Sequence, residues 1–156
     1  MVIKMNELSI QRFVNAHRIN FETALNELSA GRKISHWMWY IFPQVKGLGK
    51  SEMSMYYAIQ SIDEAREYIN NDYLRDHMNT LLDILLCQGT SNAAEIFASP
   101  DDMKLKSSMT LFAYVDSENV RYKKILDKFY SGNYDRKTLD IVNDMESRKI
   151  MKKLFE

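Results

Sequence analysis

The chain has almost no cysteine. Cys87 stands alone, which excludes an intrachain disulfide and fits a reducing compartment. Glycine and proline are also scarce, five and two in 156 residues, which argues against a fold of many tight turns and for long helices. Neither sign of charge is in excess: twenty-one basic and twenty-one acidic residues cancel. No net field therefore draws the chain to nucleic acid or to an anionic membrane, and neither is expected as a partner. No window holds the roughly 20 apolar residues of a membrane span. The opening Met1-Val2-Ile3-Lys4-Met5-Asn6-Glu7 lacks the apolar run of a signal peptide. These absences together predict a soluble, cytoplasmic protein.

The usual marks of metal and phosphate chemistry are missing too. His17, His36 and His77 form no His-x-x-x-His pair and have no cysteine partner, so a zinc site would need carboxylates from far along the chain. Cys87 has no neighbouring base and reads as an ordinary helix thiol. Gly49-Lys50-Ser51 lacks the earlier glycine of a phosphate loop, although Ser51 would expose free backbone N–H groups to an anion if it opened a helix. No pattern implies a cofactor or a metal.

What is present is helical periodicity. Ile10, Phe13, Val14, Phe21, Ala24, Leu25 and Leu28 share one stripe, closed by Gly31. His17 lies on that stripe and is expected as a hydrogen-bonded histidine at the core edge. Leu74, Met78, Leu81, Leu82 and Leu85 form a second stripe after a cap at Asn71 or Asp72. Ser99-Pro100-Asp101-Asp102 predicts a helix with Ser99 as N-cap and Pro100 in its first position, running to Val115 with Met103, Leu111, Phe112 and Val115 inward. Further helices are expected from Ser51, from Asp63, after Asn92, from Val120 to Tyr130, and from a cap at Asp135. The whole reads as one all-α, bundle-like domain over residues 1–156 with about seven helices, the last part, 143–156, being a helical tail.

Both tryptophans fall in one phrase, His36-Trp37-Met38-Trp39-Tyr40-Ile41-Phe42-Pro43-Gln44, with Ser35 a plausible N-cap and Pro43 a forced stop. There the chain resembles the bacterial and fungal family known as domain of unknown function 1810. The similarity extends to Gly31-Arg32-Lys33, Gly47-Leu48-Gly49-Lys50-Ser51, Tyr57-Ala58-Ile59, Glu64-Ala65-Arg66-Glu67-Tyr68, Ile96-Phe97, the run from Asp101 to Phe112, and Leu126 to Gly132. It spans roughly residues 8 to 142. Ala98 departs from it, standing where the family tends to have glycine. The resemblance implies a compact, mostly helical domain and carries no activity with it.

Aromatic bodies beside polar tips and a Gly-x-Gly loop suit either a small-molecule pocket or a well-filled core. On the pocket reading, Arg32, Trp37, Trp39, Gln44, Lys50 and Ser51 bind the ligand and His36 carries a proton. Lys104 and Ser108, one turn apart, add a second polar face, with Ser107 and Thr110 beside them and Asp102 and Asp116 nearby. The expected ligand is nucleotide-like or ADP-ribose-like and phosphorylated, with hydrolysis or group transfer as the matching chemistry. On the core reading, Trp37 and Trp39 are packing residues, His36 or Gln44 merely accepts an indole N–H, and the protein is a non-enzymatic interaction module. Monomer and homodimer both remain open.

Overall fold

The computed structural model describes residues 5–156, with side chains from Ile10 onward; Met1–Lys4, the first part of the stretch read above for a signal peptide, lie outside the described residues. The helices are α1 (Met5–Ser29), α2 (Met38–Ile41), α3 (Glu52–Tyr56), α4 (Ile62–Asn70), α5 (Asp72–Cys87), α6 (Ala93–Phe97), α7 (Asp101–Val115), α8 (Arg121–Tyr130) and α9 (Arg136–Leu154). The all-α class holds. The expected number, about seven, is corrected to nine among the described residues, because the short turns α2 and α6, of four and five residues, each stand as a helix. Outside the helices, one parallel bridge pairs Val45 with Ile59.

Local chemistry explains most boundaries. The stripe Leu74, Met78, Leu81, Leu82 and Leu85 is wholly buried on α5, and Asn71 Oδ1 accepts the Leu74 N–H at 3.0 Å as its cap. Ser61 caps α4 and Asp135 caps α9 in the same way. Gly31 closes α1 at φ 84°, the left-handed turn that glycine adopts without penalty. Two expected caps are corrected. Ser35 does not cap α2, because its hydroxyl donates to Glu27 Oε2 at 2.6 Å and Trp37 takes the cap position. Ser99 does not cap α7: Pro100 occupies that position after a cis peptide, and the Asp102 N–H bonds the Ala98 carbonyl. Met103, expected inside, is exposed. The core stripe of α7 is Leu105, Met109 and Phe112, and Met103 lies about 200° round the helix from Leu105.

α7 is central, packed against α4, α6, α8 and α9, while α1 rests on α2, α4 and α5. Phe13, Trp37, Phe42, Tyr68, Phe112 and Tyr122 fill the space between them and are all but fully buried. Past Val142 the tail runs on as helix, tied back to α4 by Lys149 Nζ on Asp63 at 2.8 Å. Among the described residues no helix is long and apolar enough to cross a membrane.

His17 takes the core-edge role expected of it. Its Nε2 sits 3.0 Å from the Tyr40 carbonyl, which only accepts, so the proton is on Nε2. Its bare Nδ1 then accepts from His77 Nδ1–H at 3.0 Å. Burial lowers the His17 pKa from 6.5 to about 4, against the opposing pull of the Tyr40 carbonyl and with a further push from His77. His77 is also lowered, by burial, with Asp76 and Glu22 acting the other way. The unfolded chain thus gains a proton near pH 6.5 that the folded chain refuses until about 4. Stability is complete above the upper value and falls with pH through that window, at up to about 1.4 kcal/mol per pH unit for one such group. Urea unfolding at pH 7.5, 6 and 5 should show the decline; a flat profile would contradict the neutral, buried histidine.

Candidate functional site

Residues 34–37, which lead into α2, are tied to α1 by one carboxylate. Glu27, in the last turn of α1, accepts from Ile34 N–H at 2.7 Å, Ser35 N–H at 2.8 Å, Ser35 Oγ at 2.6 Å and Trp37 Nε1 at 2.9 Å. Burial opposes its charge, but these donors outweigh that and bring its pKa down to about 2. The indole acceptor expected at His36 or Gln44 is therefore Glu27. The one sequence clue was its place near a helix C-terminus, where the helix dipole disfavours a carboxylate unless something else holds it.

With the segment fixed, Lys33 reaches across to α7. Its backbone N–H bonds the Ile96 carbonyl at 2.7 Å, and its Nζ meets Asp101 Oδ2 at 2.8 Å and donates to the Ser35 carbonyl at 2.5 Å. Asp101 Oδ1 lies 3.5 Å from Lys104 Nζ, so one carboxylate sits between two ammonium groups. Between these parts opens a cleft of about 330 Å³. Lys33, His36 and Trp39 form one wall, the Phe97–Pro100 turn the end, and Asp101 and Lys104 the other wall. Lys104 Nζ stands 5.7 Å from the centroid of the half-buried Trp39 ring, within cation–π range.

The structure brings together only part of the expected set. His36, Trp39 and Lys104 line the cleft, and Gln44 lines an adjoining depression that shares Lys104 and Pro100 with it. Trp37 is not on a wall: it is 1% exposed, edge-on to Phe97, with its N–H on Glu27. Ser108 is fully buried, so it shares no surface with Lys104. The hydroxyl nearer the groove is that of Ser107, which back-bonds to the Met103 carbonyl at 3.2 Å. Thr110 likewise back-bonds, to Lys106 at 2.8 Å. Arg32, Lys50 and Ser51 are exposed and off the cleft walls; the Ser51 hydroxyl is taken by the Ser54 N–H as the cap of α3. Asp102 gives way to Asp101 on the wall, and Asp116 lies beyond the far end of α7. Among the described residues no group of three or more His, Cys, Asp or Glu side chains could hold a metal.

The loop glycines act differently from one another. Gly47 adopts φ 103°, whereas Gly49 is needed for space: a Cβ there would come within 2.5 Å of Ser54 Cβ. At the cleft's end Ala98 holds φ 57° and ψ 170°, a region that is nearly glycine-only.

A compact all-α domain with a cleft of about 330 Å³ at the start of its central helix is the class these features define. The chain belongs to the family described as Protein of unknown function (DUF1810), whose model matches residues 7–142. Its fold is similar to that of the crystal structure of the conserved hypothetical protein Rv1873 from Mycobacterium tuberculosis. The TM-score is 0.85 and the identity 38%, over 87% of this chain and 97% of the other. No curated protein matches it significantly.

Two stability outcomes follow from this placement. Trp37→Ala should cost about 3–5 kcal/mol in urea unfolding, and Trp39→Ala roughly half as much. Equal losses would contradict the assignment of one tryptophan to the core and the other to the wall. Ala98→Gly should stabilise the fold by about 1 kcal/mol, because relief of the backbone strain exceeds the extra flexibility glycine gives the unfolded chain. A loss on that substitution would show that Ala98 is not strained.

Proposed function

We propose that the cleft binds a small nucleotide-like, phosphorylated ligand, with its ring against Trp39 and its phosphate on Lys104. The observation that carries this reading is the pairing of an accessible indole face with an ammonium 5.7 Å above it, on the wall of a cleft of about 330 Å³. That volume lies near the lower end of ligand pockets, roughly 300 Å³. Lys33 is anchored by two short contacts and has a side chain only 5% exposed. Lys104 is the freer cation, held by one 3.5 Å contact, and is the one that a phosphate draws from Asp101. Within this reading His36 is the proton carrier for hydrolysis or group transfer: it stands exposed on the wall, and its ring makes no hydrogen bond among the described residues.

A second reading, the interaction module, is favoured by a different observation. Ile150, Met151, Leu154 and Phe155 on and just past α9 are all more than half exposed. The two readings separate by titration of the full chain with AMP and ADP. Trp37 is sealed in the core, so ligand-induced change in tryptophan emission reports on Trp39. A ligand at 100 times its dissociation constant should also raise stability by about 2.7 kcal/mol, visible as a higher melting temperature. Lys104→Ala should raise the dissociation constant read from either signal about tenfold while leaving the unliganded melt unchanged within about 1 kcal/mol. A folded native chain that answers in neither signal would give the interaction module the better claim.

A further inference from the structure

The cleft does not end at Lys104. On the other side of that side chain lies a second depression of about 260 Å³, walled by Gln44, Ser54, Ser107, Asp135 and Lys137. Lys104 and Pro100 form a common wall of both hollows, and a small gap of about 10 Å³ among Trp39, Gln44, Gly49 and Ser54 lies beside them on the loop side. The two hollows therefore lie end to end as a groove interrupted at the Lys104 side chain, from His36 past Trp39 to the first turn of α9.

The two halves differ in chemistry. The first holds an aromatic face beside cations. The second holds hydroxyls, an amide, a carboxylate and, at its exposed rim, the Lys137 ammonium. Ser54 Oγ accepts from Ser51 Oγ at 2.8 Å and keeps its own proton to donate. Ser107 Oγ donates to the Met103 carbonyl and keeps its lone pairs to accept. Asp135 uses Oδ2 for Thr138, as the cap of α9, and Oδ1 makes no hydrogen bond among the described residues. The Gln44 amide likewise makes no side-chain hydrogen bond among them. A carboxylate that accepts, with an amide and a hydroxyl that donate, suits the hydroxyls of a sugar. The first hollow only just exceeds the roughly 300 Å³ at which ligand pockets begin and the second, at about 260 Å³, falls short of it, so a ligand larger than a mononucleotide reaches both.

We propose that the groove is a bipartite site for a nucleoside diphosphate sugar, with the base on Trp39, the pyrophosphate at Lys104, and the terminal sugar hydrogen-bonded by Gln44, Ser54, Ser107 and Asp135. This rests on the nucleotide reading above and sharpens it, since it decides between a mononucleotide and an ADP-ribose-like ligand in favour of the latter.

Calorimetric titration of the full chain with AMP, ADP, ADP-ribose and ribose 5-phosphate tests it. ADP-ribose should bind at least about tenfold more tightly than ADP, the effect of one or two added hydrogen bonds. Gln44→Ala and Ser54→Ala, each checked by its melt, should reduce ADP-ribose affinity by a larger factor than ADP affinity. Equal affinity for ADP and ADP-ribose overturns the sugar subsite and leaves the nucleotide reading standing. So does an equal loss for both ligands in the two variants. Tighter ADP-ribose binding that neither variant touches overturns the assignment of these residues. Failure of AMP, ADP and ADP-ribose alike overturns both the subsite and the reading beneath it.

Discussion

The Glu27 carboxylate is the constraint on which the site depends. It takes four donors within 2.9 Å, two from backbone and two from side chains, and all belong to residues 34–37. Charge-assisted hydrogen bonds contribute about 1.5–3 kcal/mol each, so a segment without regular structure is held as firmly as a helical turn. Removing the carboxylate leaves a buried indole N–H and two backbone N–H groups without their acceptor. The buried Trp37 ring is then the pivot. Its neighbour two residues on, Trp39, is turned to the cleft only because Trp37 is turned inward.

A second carboxylate does for the far half of the groove what Glu27 does for the near half. Glu64 Oε1 meets Arg12 Nη2 at 2.6 Å, with both side chains less than 10% exposed, and also accepts from Gln60 N–H at 3.3 Å. Arg12 donates onward to the Tyr56 carbonyl at 2.8 Å and the Ala58 carbonyl at 2.9 Å. Ile59, next in the chain, bonds the Gln44 carbonyl and accepts from Lys46, which is the parallel bridge. A buried ion pair is weak evidence of net stability, since desolvation offsets most of its attraction. Its effect here is positional: it fixes the backbone that carries Gln44.

Features that were legible in the sequence are those decided within a few residues. The α5 stripe, the Asn71 and Asp135 caps and the Gly31 stop each depend on neighbours within one turn. The buried His17 was legible because it shares a stripe with Phe13 and Phe21. The start of α7 was misread for a physical reason. Ser-Pro-Asp-Asp is a strong capping pattern when the chain enters extended, but Ala98 at φ 57° sends the chain in from another direction. The departure of Ala98 from the family's glycine pointed to that backbone without revealing it. Asp101, Lys33 and Glu27 were not legible as a set. The pair Lys33–Asp101 spans 68 positions, and nothing local in either residue names the other.

These distances along the chain explain the character of the cleft. Its walls come from loops and helix ends, which by themselves leave backbone groups unpaired and side chains loose. The rigidity is supplied from elsewhere, by two charged contacts that both begin on α1. Arg12 and Glu27 are fifteen residues apart on that helix, about four turns, so they reach the two ends of the groove from one straight support. The cation at the centre, Lys104, stands on a different helix and shares its carboxylate with Lys33. It is therefore the member of the charged cluster with the least to lose by turning to another anion. A frame fixed at both ends therefore surrounds one lightly held charge, so the walls of the cleft are rigid while Lys104 keeps room to turn.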